Sequence, residues 1–119
     1  NANPGSVRAA LDLMAEMSVD GRRIAVLGDM LELGSQATAL HADVGRYAVD
    51  RVDILMGTGP LSAHTVRSAQ DAGMESGRAE YFDNRDSLTR QLKSVVRPGD
   101  LVLVKASRGM ELEQVVTAL

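Results

Sequence analysis

Four short apolar runs, separated by segments with helical spacing, set the strongest limit on what this chain can fold into. The runs are IAVLG at 24–28, DILMGTG at 53–59, AEYF at 79–82 and LVLV at 101–104. Such continuous apolar runs are typical of parallel strands that are covered by helices on both faces of a sheet. Their alternation with helices predicts an α/β fold, Rossmann-like and doubly wound, with a mostly parallel sheet and helices on both faces.

Five helices are predicted around these strands. Asn3 followed by Pro4 is a typical N-cap with proline in the first turn, which starts a helix over 4–17. The apolar stripe of that helix consists of Val7, Leu11 and Met14. The other helices are predicted at 37–50, 61–73, 87–96 with Asp86 as N-cap, and 110–119.

The order of the strands follows from common topology rules. In the commonest doubly wound arrangement the strand at 24–28 lies next to the strand at 101–104, flanked by those at 53–57 and 79–82. The sheet then reverses between its first and fourth strands, and ligands bind at the carboxyl ends of strands at such a reversal. The two loops at that edge are GDMLELG and KASRGM.

The KASRGM turn, residues 105–110, combines two cations with the start of a helix. Lys105 ends a buried strand, Ser107 is placed to cap the next helix, and Gly109 lets that helix begin with free amides. Two cations, Lys105 and Arg108, beside a helix N-terminus make an anion site for a phosphate or a carboxylate. An ordinary strand-to-helix turn with a surface arginine fits the same spacing, and the pattern alone leaves both open.

The GDMLELG loop brings a carboxylate, Asp29, to the same edge. There it is placed to hold a magnesium-bound water, a substrate amine or Lys105. The alternative is that Asp29 caps the loop, with three apolar residues packed beneath it: Met30, Leu31 and Leu33.

Other polar residues carry weaker signals. Thr58 follows the second strand and is a minor candidate. His41 is expected to be a structural histidine, hydrogen-bonded near the GDMLELG loop, while His64 and Glu32 are expected at the surface. The sequence contains neither the G-x-G-x-x-G phosphate fingerprint nor a P-loop, and no metal-ligand cluster stands out.

Composition argues against several classes of function. Without cysteine the chain has neither disulfides nor thiolate metal sites. Aromatic residues at 3% and a net charge of -3 argue against a nucleic-acid partner. No apolar stretch approaches the ~20 residues that cross a bilayer, so no membrane partner and a cytoplasmic location are expected. The start at NANPG, without methionine, suggests a piece of a longer protein.

Three stretches together resemble the carboxy-terminal domain of the Mur ligases. They are NANPGSVRAALDLM, RRIAVLGDMLELG and DLVLVKASRGMELEQVV. Any one of these stretches alone is a weak signal, whereas the three in this order are specific to the family. Residues 60–98 are the least distinctive part of the resemblance. Within the family, the chain is most similar to the member that adds D-alanyl-D-alanine to UDP-N-acetylmuramoyl-tripeptide.

The resemblance implies that residues 1–119 are a single domain, the last of three in an ATP-dependent ligase of peptidoglycan synthesis. The absent domains would bind the uridine nucleotide and carry a P-loop ATPase. In the family reaction ATP converts the tripeptide carboxylate to an acyl phosphate, which the amine of D-alanyl-D-alanine attacks. ATP and Mg²⁺ would be bound mainly by the central domain, so the piece alone is predicted to be inactive.

The resemblance also assigns site residues. The cradle for the dipeptide carboxylate is assigned to Lys105, Ser107, Arg108 and Gly109. Asp29 is assigned to orienting this site. Asn1 and Asn3 match a family segment at the hinge to the central domain, near the adenine and ribose of ATP, although Asn3 is alternatively only a helix cap.

Two departures from the family pattern stand out. The acidic residue and tyrosine that usually precede the first asparagine lie outside this chain, so part of any nucleotide contact is missing. Ala106 stands where the family often has glycine, which stiffens the turn.

Three alternatives remain at this stage. One is a related amide ligase domain, from the tripeptide-forming Mur ligase, a folylpolyglutamate synthetase or a cyanophycin-type ligase; these carry different residues after the last strand. Another is a receiver-like module, which needs an acidic pair after the first strand where this chain has Asp29 alone. The third is a stand-alone binding module without chemistry.

Overall fold

The computed structural model describes residues 2–107, which contain four strands and four α-helices. The strands are β1 (Arg23–Leu27), β2 (Ile54–Thr58), β3 (Ala79–Phe82) and β4 (Leu101–Lys105), and the helices are α1 (Pro4–Glu16), α2 (Ala37–Ala48), α3 (Ser62–Asp71) and α4 (Arg85–Val95). A single 3₁₀ turn, Gly34–Gln36, precedes α2. Within this range no helix is long and apolar enough to span a membrane. The helix predicted at 110–119 lies outside the described residues.

All three strand pairings are parallel, in the order β3-β2-β1-β4. Val26 of β1 lies opposite Met56 on one side and Val104 on the other. The α/β fold with a parallel sheet is therefore confirmed, as is the placement of β1 beside β4. The flanking strands differ from the prediction in one respect: β2 and β3 both lie on the β1 side, which leaves β4 at the edge of the described sheet.

Helices cover both faces of the sheet, as predicted, because successive strand residues point to opposite sides. One face packs α1, α2 and α3 against a buried cluster that includes Leu11, Leu27, Val44, Leu55 and Val66. The other face packs α4 through Leu88 and Leu92 against Ile24, Val26 and Met56. The predicted stripe of α1, made of Val7, Leu11 and Met14, is fully within the first cluster.

Both helices that begin at an asparagine are capped by it. Asn3 and Ser6 form a reciprocal capping box, in which the Asn3 side chain accepts from the Ser6 amide at 2.9 Å. The prediction that Asp86 caps α4 is wrong. The N-cap is Asn84, whose side chain accepts from the Ser87 amide at 2.8 Å. Asn84 has the extended backbone that an N-cap requires, with φ -150° and ψ 163°, whereas Asp86 lies inside the first turn.

At the amino ends of the strands, Asp100 fixes β4 to β1. Its carboxylate accepts from the backbone amide of Arg22 at 2.8 Å, from the Arg22 guanidinium at 2.9 Å and from the Arg97 amide at 2.9 Å. Because the Arg22 side chain and these two amides favour the charged form, the pKa of Asp100 falls to about 2. The same guanidinium donates to the carbonyl of Val95 at 2.7 Å, which holds the end of α4. These contacts of Asp100 and Arg22 are called the clasp below.

The crossing of α2 over α3 depends on a glycine. A Cβ on Gly45 would overlap the carbonyl oxygen of Thr65, which is backbone and has no room to move aside. The two helices therefore approach at backbone distance, which a side chain at position 45 would prevent.

Candidate functional site

The carboxyl ends of β1 and β4 are joined by hydrogen bonds that continue the ladder beyond both strands. The Gly28 amide donates to the Lys105 carbonyl at 2.9 Å, and the Ser107 amide donates to the Asp29 carbonyl at 3.1 Å. The two loops that the sequence placed at the sheet reversal are therefore in direct contact. This edge is the candidate site, defined here as the 28–34 loop and the turn that starts at Lys105.

Ser107 connects three parts of the candidate site. The residue is 8% exposed, and its hydroxyl oxygen accepts from the Leu31 amide at 2.9 Å. The hydroxyl also points to the carbonyl of Ala2, at 3.5 Å. Ser107 thus bonds to the loop and to the start of the chain, while its predicted role in capping the following helix falls outside the described residues, as do Arg108 and Gly109.

Asn3 reaches the same edge because α1 runs antiparallel to the strands. Its side-chain oxygen is used in the capping box, so the alternative role as helix cap is confirmed. The preceding residue, Ala2, is buried beside Ser107. Asn1 lies outside the described residues.

Asp29 has a structural partner that the sequence did not suggest. Asp29 is 3% exposed, and its carboxylate accepts from two amides at the start of α3, Leu61 at 3.2 Å and Ser62 at 2.8 Å. Asp29 therefore caps α3 instead of its own loop, and a carboxylate at a helix N-terminus is also favoured by the helix dipole. Among the ion pairs of residues 2–107, none joins Asp29 to Lys105.

The charge of Asp29 acts on a residue of β3, two strands away from β1 in the sheet. Burial, together with the carboxylates of Asp83 and Asp29, raises the pKa of the Tyr81 hydroxyl. This edge of the sheet is therefore negative beside β3, whereas the cation Lys105 lies on the far side, beside β4.

The three apolar residues of the loop behave differently from one another. Met30 is buried and Leu33 packs partly on the core, as expected, but Leu31 is 43% exposed. Glu32 is exposed as predicted and has φ 63°, a left-handed conformation that costs about 1–2 kcal/mol for a non-glycine residue. The loop thus turns sharply at Glu32 and presents Leu31 at the surface.

His41 confirms the prediction of a structural histidine bonded to this loop. Its fully buried ring accepts from the Met30 amide through Nε2 at 2.9 Å, and its Nδ1 lies 2.7 Å from the Ala37 carbonyl. His64 is exposed on α3, also as predicted. Thr58 donates to the Phe82 carbonyl at 2.9 Å and is buried, so it ties β2 to β3.

Among the described residues of the candidate site, Lys105 is the cation that is available to a ligand. Strand alternation places its side chain on the same face as Leu101 and Leu103, beside α1. Its ammonium forms no ion pair with any residue in 2–107. In the same range, no group of three or more His, Asp or Glu side chains is arranged to hold a metal ion.

Residues 1–108 match the family described as Mur ligase, glutamate ligase domain. The chain belongs to the Mur ligase family. This membership decides against the receiver-like module. The Mur ligase domain is 36% identical over 120 residues to the UDP-N-acetylmuramoyl-tripeptide--D-alanyl-D-alanine ligase of Bacillus subtilis, covering 100% of this chain and 26% of the relative. The Escherichia coli enzyme of the same name is 38% identical over 122 residues, covering 100% of this chain and 25% of the relative.

Solved structures agree with this assignment. MurF from Acinetobacter baumannii superposes on the Mur ligase domain with a TM-score of 0.84 at 26% identity, over 98% of this chain and 26% of that one. MurF from Thermotoga maritima, solved in complex with ADP, has a TM-score of 0.78 at 24% identity, over 99% of this chain and 26% of that one, and shows the fold alone. The Mur ligase domain spans about a quarter of the length of the curated relatives that it matches.

Proposed function

We propose that this Mur ligase domain is the carboxy-terminal domain of an ATP-dependent ligase that adds D-alanyl-D-alanine to UDP-N-acetylmuramoyl-tripeptide in peptidoglycan synthesis. The proposal is supported by the relatives of that name, which match the whole chain at 36% and 38% identity. Because the chain spans about a quarter of their length, two further domains are expected to bind the uridine nucleotide and ATP. The enzyme is proposed to act in the cytoplasm, without a membrane or nucleic-acid partner.

The proposed reaction forms one amide bond at the expense of ATP. The γ-phosphoryl group passes to the tripeptide carboxylate, which gives an acyl phosphate and ADP. The amine of D-alanyl-D-alanine then attacks the acyl carbon, and phosphate leaves as the amide forms. Mg²⁺ supplies charge neutralisation during phosphoryl transfer, and ATP and Mg²⁺ are proposed to be held mainly by the central domain.

Lys105 is the residue that supports a substrate-binding role for this domain. The dipeptide presents a carboxylate, and a cation without a partner among the described residues lies where the sheet reverses, which is the usual place for a ligand in such folds. We assign Arg108 and Gly109 to the same cradle from the sequence alone. Ser107 contributes by fixing the turn, because its amide and hydroxyl are already bonded to the 28–34 loop.

Asp29 and the two asparagines are proposed to act around this cradle. Asp29 orients it through its carbonyl, which holds the Ser107 amide, while its carboxylate holds α3. Asn1 and Asn3 are proposed to approach the adenine and ribose of ATP. The capping box uses the Asn3 side-chain oxygen, so the Asn3 side-chain amide remains a candidate donor toward the nucleotide.

The test is Lys105→Met in the full-length ligase, with the Michaelis constant for D-alanyl-D-alanine as the readout. Loss of a charged contact is expected to raise this constant by about tenfold or more. The chain has one other lysine, Lys93, exposed on α4, and Lys93→Met is the matched control. An unchanged constant in Lys105→Met would remove Lys105 from the cradle, and the same measurement on Arg108→Ala tests that residue.

Two further outcomes bear on the function itself. The 119-residue chain alone is expected neither to hydrolyse ATP nor to form amide bonds, so turnover by it would contradict the three-domain proposal. Ligation of a different amino component by the full-length enzyme would favour a related amide ligase instead.

A further inference from the structure

His41 is bonded at both ring nitrogens in a way that fixes its chemical form. The Met30 amide can only donate, so Nε2 must accept, and the proton must be on Nδ1, where it is donated to the Ala37 carbonyl. The ring is fully buried in this arrangement.

Residues 29–31, the segment that is hydrogen-bonded to His41, are also hydrogen-bonded to Ser107. Of the three consecutive residues 29–31, the first accepts from the Ser107 amide and the third donates to the Ser107 hydroxyl. The middle residue, Met30, donates to His41. The imidazole therefore anchors the centre of a clamp whose two ends hold a single serine, two residues after Lys105.

We propose that His41 is a positioning residue of the candidate site: through Met30 it holds the 29–31 segment, and that segment sets the position of Ser107 and of Lys105, two residues earlier. His41 itself contacts no ligand in this arrangement. The identity of the ligand, the carboxylate of D-alanyl-D-alanine, rests on the proposed function; the mechanical link from His41 to Ser107 does not.

Two substitutions separate the bond to Met30 from the rest of the side chain. In His41→Asn the side-chain amide nitrogen replaces Nδ1 and keeps a donor toward Ala37, but no acceptor reaches Met30. In His41→Gln the side-chain oxygen reaches the position of Nε2 and keeps that acceptor. His64→Asn on the surface of α3 is the matched control.

In the full-length ligase, His41→Asn is expected to raise the Michaelis constant for D-alanyl-D-alanine by about tenfold, with kcat and the constant for ATP within about twofold. His41→Gln is expected to restore most of the affinity, and His64→Asn to change nothing. A residue that served stability alone would lower the melting temperature without this split. A wild-type dipeptide constant in a folded His41→Asn enzyme would overturn the proposal.

Amide hydrogen exchange in the same proteins tests the link without any substrate. Exchange at Met30, Leu31 and Ser107 is expected to accelerate in His41→Asn and to stay near wild type in His41→Gln. If the wild-type enzyme does not ligate D-alanyl-D-alanine, the proposed function fails while this measurement still decides the role of His41. Unchanged exchange at Ser107 would overturn the positioning role.

A second variant keeps the test available if His41→Asn does not fold. Ser107→Ala removes the other end of the Leu31 bond and is expected to raise the same dipeptide constant. If one clamp is at work, Ser107→Ala also accelerates amide exchange at Met30, the residue bonded to His41. An unchanged dipeptide constant together with unchanged exchange at Met30 in Ser107→Ala would contradict the clamp.

Discussion

Asp29, at the end of β1, caps α3 through the amide of Ser62, 33 residues further along the chain and 2.8 Å away. Asp29 is almost fully buried, and its carboxylate also accepts from the amide of Leu61, the N-cap residue of the same helix. A residue that the sequence suggested for ligand binding or for pairing with Lys105 thus fixes a helix, while the Lys105 side chain has no ion-pair partner among residues 2–107.

Asp29→Ala is expected to lower the free energy of unfolding by about 1–3 kcal/mol, because two amides at the start of α3 lose their acceptor in a buried place. Asp29→Asn should cost less, since its side-chain oxygen still accepts. Urea unfolding of the purified protein measures both. An Asp29→Ala protein of wild-type stability that no longer bound the dipeptide would show that the carboxylate serves the ligand instead.

The cap of α4 gives a second prediction. Asn84→Ala is expected to lower stability by about 1 kcal/mol, because the Ser87 amide loses its acceptor. Asp86→Ala should cost less than half of that, since Asp86 contributes only through the helix dipole. The two midpoints of urea unfolding can be compared directly. A larger loss for Asp86→Ala would restore the cap that the sequence suggested.

The clasp at Asp100 predicts a dependence of stability on acid. Its pKa falls from 3.8 to about 2, so between these values the unfolded chain binds more protons than the folded one, and stability rises with pH. The contribution is fully present above about pH 4 and is lost as the pH falls toward about 2. The stability gap between wild type and Asp100→Asn should therefore narrow over that window.

Urea unfolding at several pH values measures this gap. Asp71→Asn, at an exposed carboxylate at the end of α3, is the control. A gap between wild type and Asp100→Asn that stayed constant from pH 5 to pH 2 would argue against the clasp as its source.

Gly45→Ala is expected to be strongly destabilising, by about 3 kcal/mol, because the added methyl group meets the Thr65 carbonyl and forces two helices apart. Gly77→Ala is the control, since nothing lies within 4 Å of its added Cβ. That variant should stay within about 0.5 kcal/mol of wild type. Thermal unfolding followed by circular dichroism compares them, and equal midpoints would refute the close crossing.

The parts of the fold that were predictable from sequence are those with local signals. The strands and the stripe Val7, Leu11 and Met14 appear as apolar patterns in the sequence. Strands β1 and β2 and the stripe are buried as expected. Strand β4, which was expected to be buried, is only partly buried because it lies at the edge of the described sheet. The adjacency of β1 and β4 followed from general rules of chain connection. These features need no knowledge of distant partners.

The polar partners of the site were not predictable in the same way. The Asp29 carboxylate finds its donors 32 and 33 residues away, and the Leu31 amide finds Ser107 at a separation of 76. No periodic pattern encodes such pairs, because they depend on which loops the sheet brings together. At α4, Asn84 and Asp86 are both good capping residues, and only the backbone conformation distinguishes them.

The contact between Ser107 and the carbonyl of Ala2 spans 105 positions of sequence and joins the turn after β4 to the residue before the cap of α1. Turns and the first turns of helices are segments that open readily in local unfolding. Here the two lie against each other, so fraying of the first turn of α1 and loosening of residues 105–107 are coupled. An anion that settles at the turn would therefore slow exchange at Val7, whose amide lies in the first turn of α1, as well as at Leu31.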